Sequence, residues 1–170
     1  DRSMNDVLVK VWEPAFLTRE HEINILRRAG SIRFEHFKVP RLLTVDPSMR
    51  GFAMERIPGK TAHELLFKQE YKNEVSGRTQ SGRKIDRGFY EDIGKAFREL
   101  NKNGICHADA HFRNYLIVDS TVDQDNNGNE VLVDGKVYII DFGRSVRANT
   151  PERDLYQIKS DLSGKVIDFY

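Results

Sequence analysis

Asp109 and Asn114 lie five residues apart in the polar stretch HADAHFRN, residues 107–114, and Asp141 closes the apolar run VYII just before Phe142-Gly143. Carboxylate and amide oxygens are the hard donors that Mg²⁺ prefers. A carboxylate can also orient or deprotonate an attacking hydroxyl. Far upstream, Lys10 ends the apolar run VLVK. A charge there is costly unless paired, and Glu22 is a candidate partner. A carboxylate, two oxygen ligands and a cation for phosphate oxygens are what phosphoryl transfer needs in one cleft. Asp109, Asn114 and Asp141 can converge only if the elements between them turn back on each other.

Those elements are readable in outline. VLVKVW, residues 7–12, is β-branched and bounded by polar residues, which predicts a strand. From Leu17 to Ala29 the period turns helical, with Ile23, Ile25, Leu26 and Ala29 on the apolar side and Gly30 as the stop. Val39–Val45 and Gly51–Ile57 read as strands joined at Asp46-Pro47-Ser48, and a short helix is expected over Thr61–Phe67. Residues 68–88 are polar and mostly basic, with no apolar period, and read as a loop, a solvated one before a docking surface. Phe89, Ile93, Ala96, Phe97 and Leu100 fall at helical spacing. Tyr115–Val118 reads as a short strand and 119–130 as an insertion. VLV and VYII follow as two strands with a turn at Asp134-Gly135, then a loop, then a final helix over DLYQIKSDL. Strands first and helices later give an α+β layout with a sheet part and a helical part.

Composition sets limits on this reading. The 170 residues suit one domain or two small lobes sharing a cleft. The net charge of +1 gives no global field for nucleic acid. A lone cysteine, Cys106, excludes an intrachain disulfide and fits a reducing compartment. No apolar run reaches the roughly 18 residues of a membrane span, and the opening DRSMNDVLVK carries no signal-peptide pattern. The expected localisation is cytoplasmic.

Taken in order, VLVK, the helix with EINIL, FAMERIPG, HADAHFRN and DFG are similar to the protein-kinase-like superfamily. The resemblance runs from about residue 7 to residue 162. It implies a two-lobed kinase-like fold, a small sheet N-lobe over about 1–57 and a truncated helical C-lobe over about 58–170, as one minimal domain. It implies ATP with Mg²⁺ or Mn²⁺. By resemblance Lys10 would contact the α- and β-phosphates and pair with Glu22, chosen over Glu20 because it precedes the apolar stretch. Met54 would line the back of the adenine pocket, with Glu55 and Ile57 offering backbone groups. Asp109 would be the base, Asn114 and Asp141 the metal ligands, and His107 a brace for the loop and the DFG backbone.

The departures are as informative. The nine residues before Lys10 contain no glycine, so a glycine-rich phosphate loop would lie upstream of them or another loop would do its work. The loop reads HADAH rather than HRDLK, so the arginine that answers a phosphorylated activation loop is missing. The segment between Asp141 and Asp154 is too short for an APE-like stretch. These features resemble RIO-type kinases, the small kinase of the KEOPS complex, lipopolysaccharide-core kinases and aminoglycoside or choline kinases. They also resemble compact kinases secreted by bacterial pathogens, which would place the work in a host cytosol. Asp154 would then anchor the catalytic loop, and activity would be constitutive or switched on by a protein partner.

Other readings fail on spacing. Gly59-Lys60-Thr61 looks like the end of a P-loop, but the required earlier glycine is Met54. His107, Asp109 and His111 lack the further strong ligand that a zinc hydrolase needs. The Asp- and Asn-rich stretch 119–130 reads as a solvated insertion and not as an EF-hand loop. The leading expectation is γ-phosphoryl transfer to a protein Ser or Thr hydroxyl. Its rivals are a small-molecule kinase and a partner-binding pseudokinase.

Overall fold

A computed structural model describes residues 6–12, 19–48, 50–67, 82–147, 151–162 and 164–168. The chain is a mixed α+β structure. Its elements are β1 (Val7–Val11), α1 (Arg19–Gly30), β2 (Leu42–Val45), β3 (Gly51–Glu55), β4 (Lys60–Thr61), α2 (Ala62–Leu66), β5 (Lys84–Asp86), α3 (Arg87–Lys102), β6 (Tyr115–Gln124), β7 (Glu130–Ile139), a 3-10 turn (Phe142–Arg144), α4 (Pro151–Leu162) and β8 (Val166–Ile167).

Three strands form an antiparallel sheet in the order β1-β3-β2, and five form a second in the order β4-β6-β7-β5-β8. Helix α1 turns Ile23, Ile25, Leu26 and Ala29 into the core, the face its period predicts. Helix α3 likewise buries Phe89, Ile93, Ala96, Phe97 and Leu100. It starts where Asp86 accepts hydrogen bonds from the N–H groups of Gly88 and Phe89. Thr61 and Glu64 close a capping box on α2. The segment before β2 is tied to β7 by Lys38, which donates its N–H to the Val137 carbonyl and accepts that of Ile139, both at 3.0 Å.

The hairpin β6–β7 differs from the expected short strands. Both strands run ten residues and pair antiparallel from Tyr115↔Ile139 to Gln124↔Glu130. Asp134-Gly135 makes no turn but lies inside β7. A Cβ on Gly135 would stand 2.3 Å from the Cγ2 of buried Ile117, so glycine serves close strand approach there. The register slips near Asp119, whose φ of 52° marks a bulge. The true turn is 125–129, where Gly128 has a φ of 77° and the Asp125 carboxylate is held by Asn127 and Asn129. The stretch read as an insertion is therefore strand and tight turn. The polar stretch read as a loop to residue 88 ends in β5, whose Ile85 is buried beside β7 and β8, and α3 begins at Arg87. The rest of that stretch, 68–81, and the start of the expected helix at Leu17 lie outside the described residues.

Candidate active site

The register of β6 and β7 carries the site. Tyr115 pairs with Ile139, and the next pair outward is bonded too, Ile140 N–H donating to the Asn114 carbonyl at 3.0 Å. Asn114 therefore enters the hairpin beside the point where Asp141 leaves it. The five residues that separate Asp109 from Asn114 then place both on one short loop.

Lys10 reaches this end from the other sheet. Its ammonium donates to Glu22 at 2.6 Å and to Asp141 at 2.9 Å. Glu22 is only 4% exposed while Glu20 is exposed, and Glu22 is the glutamate that Lys10 contacts. Trp12 donates its indole N–H to the second Glu22 oxygen at 3.2 Å. Burial pushes the Lys10 ammonium down, but hydrogen bonds to Asp141 and Glu22 outweigh it, and the group ends above the usual lysine value. Burial pushes the Asp141 carboxyl up, and the Lys10 hydrogen bond and charge carry it below the usual range. Both are ionised at neutral pH.

Asp141 sits with a φ of 58° at the head of the 3-10 turn, a left-handed conformation that Asp tolerates better than most residues. Such backbone is held in place by its surroundings. Here His21 on α1 donates its Nε2–H to the Ser145 carbonyl. Cys106 and Val146 exchange backbone hydrogen bonds at 2.9 Å, and Ser145 donates its hydroxyl to the His107 carbonyl at 3.2 Å. The loop of Asp109 and the turn after Asp141 are thus stapled together.

Asp154 on α4 fixes the loop from below. Its carboxylate, 1% exposed, accepts the N–H groups of His107 and Ala108, both at 2.8 Å, and the Asn101 amide at 3.0 Å. Ala108 has a φ of 62°, a conformation that alanine adopts only when so anchored. His107 is fully buried and donates its Nε2–H to the Ile140 carbonyl at 2.8 Å. Burial drives its imidazole below the usual value, so it stays neutral. It braces the backbone next to Asp141.

Asn114 donates its amide to the Asp109 carboxylate at 3.1 Å and to the Asp109 carbonyl at 2.9 Å. That leaves the amide oxygen as an acceptor. His111 stands 3.8 Å from one Asp109 oxygen and Arg144 3.6 Å from the other. Among the described residues no group of three or more His, Cys, Asp or Glu side chains forms a metal site. Mg²⁺ on a nucleotide needs less, one or two protein oxygens beside those of phosphate and water. The half-exposed Asp141 carboxylate and the Asn114 amide oxygen are a donor set of that kind.

A cavity of about 450 Å³ opens beside them, lined by Lys10, Glu22, Met54, Glu55, Ile57 and Asp141 among others. Its volume lies in the range of small-ligand sites. Leu8, Leu26, Leu116 and Phe142 make its walls largely apolar. The Glu55 N–H is already bonded to the Arg41 carbonyl at 2.9 Å, so a backbone donor for a flat ring would come from further along, where Ile57 lines the cavity. Six of the residues singled out in the sequence thus share one cavity, and Asp109, Asn114 and His107 adjoin it through the hairpin end. Trp12, His21 and Arg144 escaped sequence reasoning. Trp12 alone left a trace, since its spacing of two from Lys10 puts both side chains on one face of the strand.

No protein-family profile matches the chain, and no curated protein does. The solved structure of WbdD in complex with the kinase inhibitor LY294002 resembles it with a TM-score of 0.55 at 18% identity. The likeness covers 94% of this chain and 33% of that one, so this chain spans about a third of that structure's length. It shows a kinase-like fold.

Proposed function

We propose that this chain is an ATP- and Mg²⁺-dependent phosphotransferase that passes the γ-phosphoryl group to a hydroxyl, most simply a Ser or Thr of a protein. The observation that carries the reading is the Lys10 ammonium held between Glu22 at 2.6 Å and Asp141 at 2.9 Å on the rim of an apolar cavity. The likeness to a chain that binds a kinase inhibitor supports it. In this reading the two sheets belong to two lobes meeting near residues 57 and 58, with the nucleotide between them.

The apolar cavity takes the adenine, with Met54 at its back and Glu55 and Ile57 along its edge. Lys10 neutralises phosphate oxygens, and Glu22, oriented by Trp12, holds Lys10 in place. Asp141 and Asn114 would hold Mg²⁺, which supplies charge neutralisation to the phosphates when bound. Asp109, fixed by the Asn114 amide, accepts the proton of the incoming hydroxyl. The protein mainly positions and neutralises.

Asp109 is a quarter exposed and is not among the residues lining the cavity, which favours an acceptor presented from outside over a small molecule enclosed with the nucleotide. Calorimetry tests the nucleotide half directly. Lys10→Met should bind ATP weakly and Asp141→Ala should lose the Mg²⁺ dependence of binding, both in chains that still melt cooperatively. Mg²⁺-dependent ATP binding equal to wild type in both variants would contradict the assignment.

A further inference from the structure

The loop and turn that frame Asp109 carry more positive charge than the transfer step uses. Arg113 lies on the loop itself, and Arg144 and Arg147 follow Asp141 in DFGRSVR, which holds no further acid. Asp161, the nearby acid on α4, is taken by the Phe112 N–H and the Gln157 amide. Of these, Arg144 reaches Asp109. Its guanidinium stands 3.6 Å from the Asp109 Oδ1, beyond a direct hydrogen bond, and its side chain is 76% exposed. A pair so loose and so wet contributes little stability. The other Asp109 oxygen is tied to Asn114 at 3.1 Å. An acceptor hydroxyl finds the less engaged oxygen on the side where Arg144 stands, and the guanidinium can turn to a better anion arriving with it.

We propose that Arg144 is an acceptor-positioning residue that pairs with a carboxylate beside the incoming hydroxyl, so that the site selects a Ser or Thr flanked by acidic residues. The proposal rests on the reading of Asp109 as the acceptor-side base. A planar fork of N–H donors suits a carboxylate in two-point contact, which a lysine would not reproduce. Arg113, on the same loop, has no share in holding the nucleotide.

The test uses three fluorescent peptides with one central Ser, flanked by Glu, by Gly or by Lys. Binding is measured with Mg²⁺ and a non-hydrolysable ATP analogue for wild type, Arg144→Gln and Arg144→Glu, each shown to be folded by its melting curve. Wild type should hold the Glu-flanked peptide about tenfold more tightly than the Gly-flanked one, the scale of one charge pair at a partly desolvated contact. Arg144→Gln should erase that difference, and Arg144→Glu should move the preference to the Lys-flanked peptide. Equal binding of all three by wild type, or a preference for acid that survives Arg144→Glu, overturns the proposal. Transfer of γ-label to the same peptides, run in parallel, separates the two claims. A charge preference without transfer keeps Arg144 and removes the protein-kinase reading. Transfer without a charge preference does the reverse.

Discussion

At the scale of single residues, the site depends on carboxylates with distinct tasks. Asp154 has no solvent to fall back on, and three donors converge on it. Asp154→Ala leaves the N–H groups of His107 and Ala108 buried without an acceptor, while the Asn101 amide keeps only the Ile105 carbonyl. The expected cost is about 3 kcal/mol, a fall of roughly 10 °C in melting temperature for a chain of this size. Phosphoryl transfer should drop with it, since Ala108 relaxes from its left-handed conformation. Calorimetric melting of the variant checks the first claim. His107 behaves differently. Its folded form resists protonation, so the unfolded chain binds the extra proton once the pH falls below the ordinary imidazole value of about 6.5. The contribution of neutral His107 is complete above that value and is lost as the pH falls beneath it. His107→Gln should flatten the decline of melting temperature between about pH 6.5 and 5, and an unchanged slope would assign the decline to other groups.

At the scale of elements, the β6–β7 hairpin decides where Asn114 and Asp141 stand. A substitution far from the chemistry should therefore disturb it. Gly135→Val forces a side chain against Ile117, which is itself buried, and should cost about 1–3 kcal/mol by overpacking. If the register gives way instead, Mg²⁺-ATP binding falls along with stability, which titration of the variant would show. This hairpin is also where the sequence misled. Asp-Gly is a strong turn signal when it stands between strands, but the same pair serves a strand interior where backbones approach too closely for a Cβ. Alternation over Thr121–Gln124 was too polar to read as strand because those residues face solvent on a paired but exposed stretch. The helices were legible because burial of one face imposes a period of 3.6 residues. Ile85 could not be placed, since a three-residue strand buried by its neighbours leaves no period of its own.

At the scale of the whole molecule, the α+β fold and the placing of most candidate site residues were legible because the motifs set residue types in a particular order. The Lys10–Glu22 pair, the Asp109–Asn114 contact and the Asp154 anchor all join partners that the order of motifs already implied. What the order could not reveal were contacts between motifs, such as Trp12 to Glu22, His21 to Ser145 and Arg144 to Asp109, because each depends on how separate elements pack. Residues of both sheets line one cavity, and α1 touches the 3-10 turn directly. Among the described residues no helix is long and apolar enough to cross a membrane.

In the proposed reading Asp141 and its neighbours serve transfer of a phosphoryl group from ATP. The measurement is transfer from γ-labelled ATP with Mg²⁺, wild type beside Asp141→Ala, offered a generic protein, a cell lysate and a mixture of aminoglycoside and choline. Label on protein with wild type alone is the predicted result. Label on protein from Asp141→Ala at the wild-type rate, or no transfer by wild type to any of the three, would contradict the account.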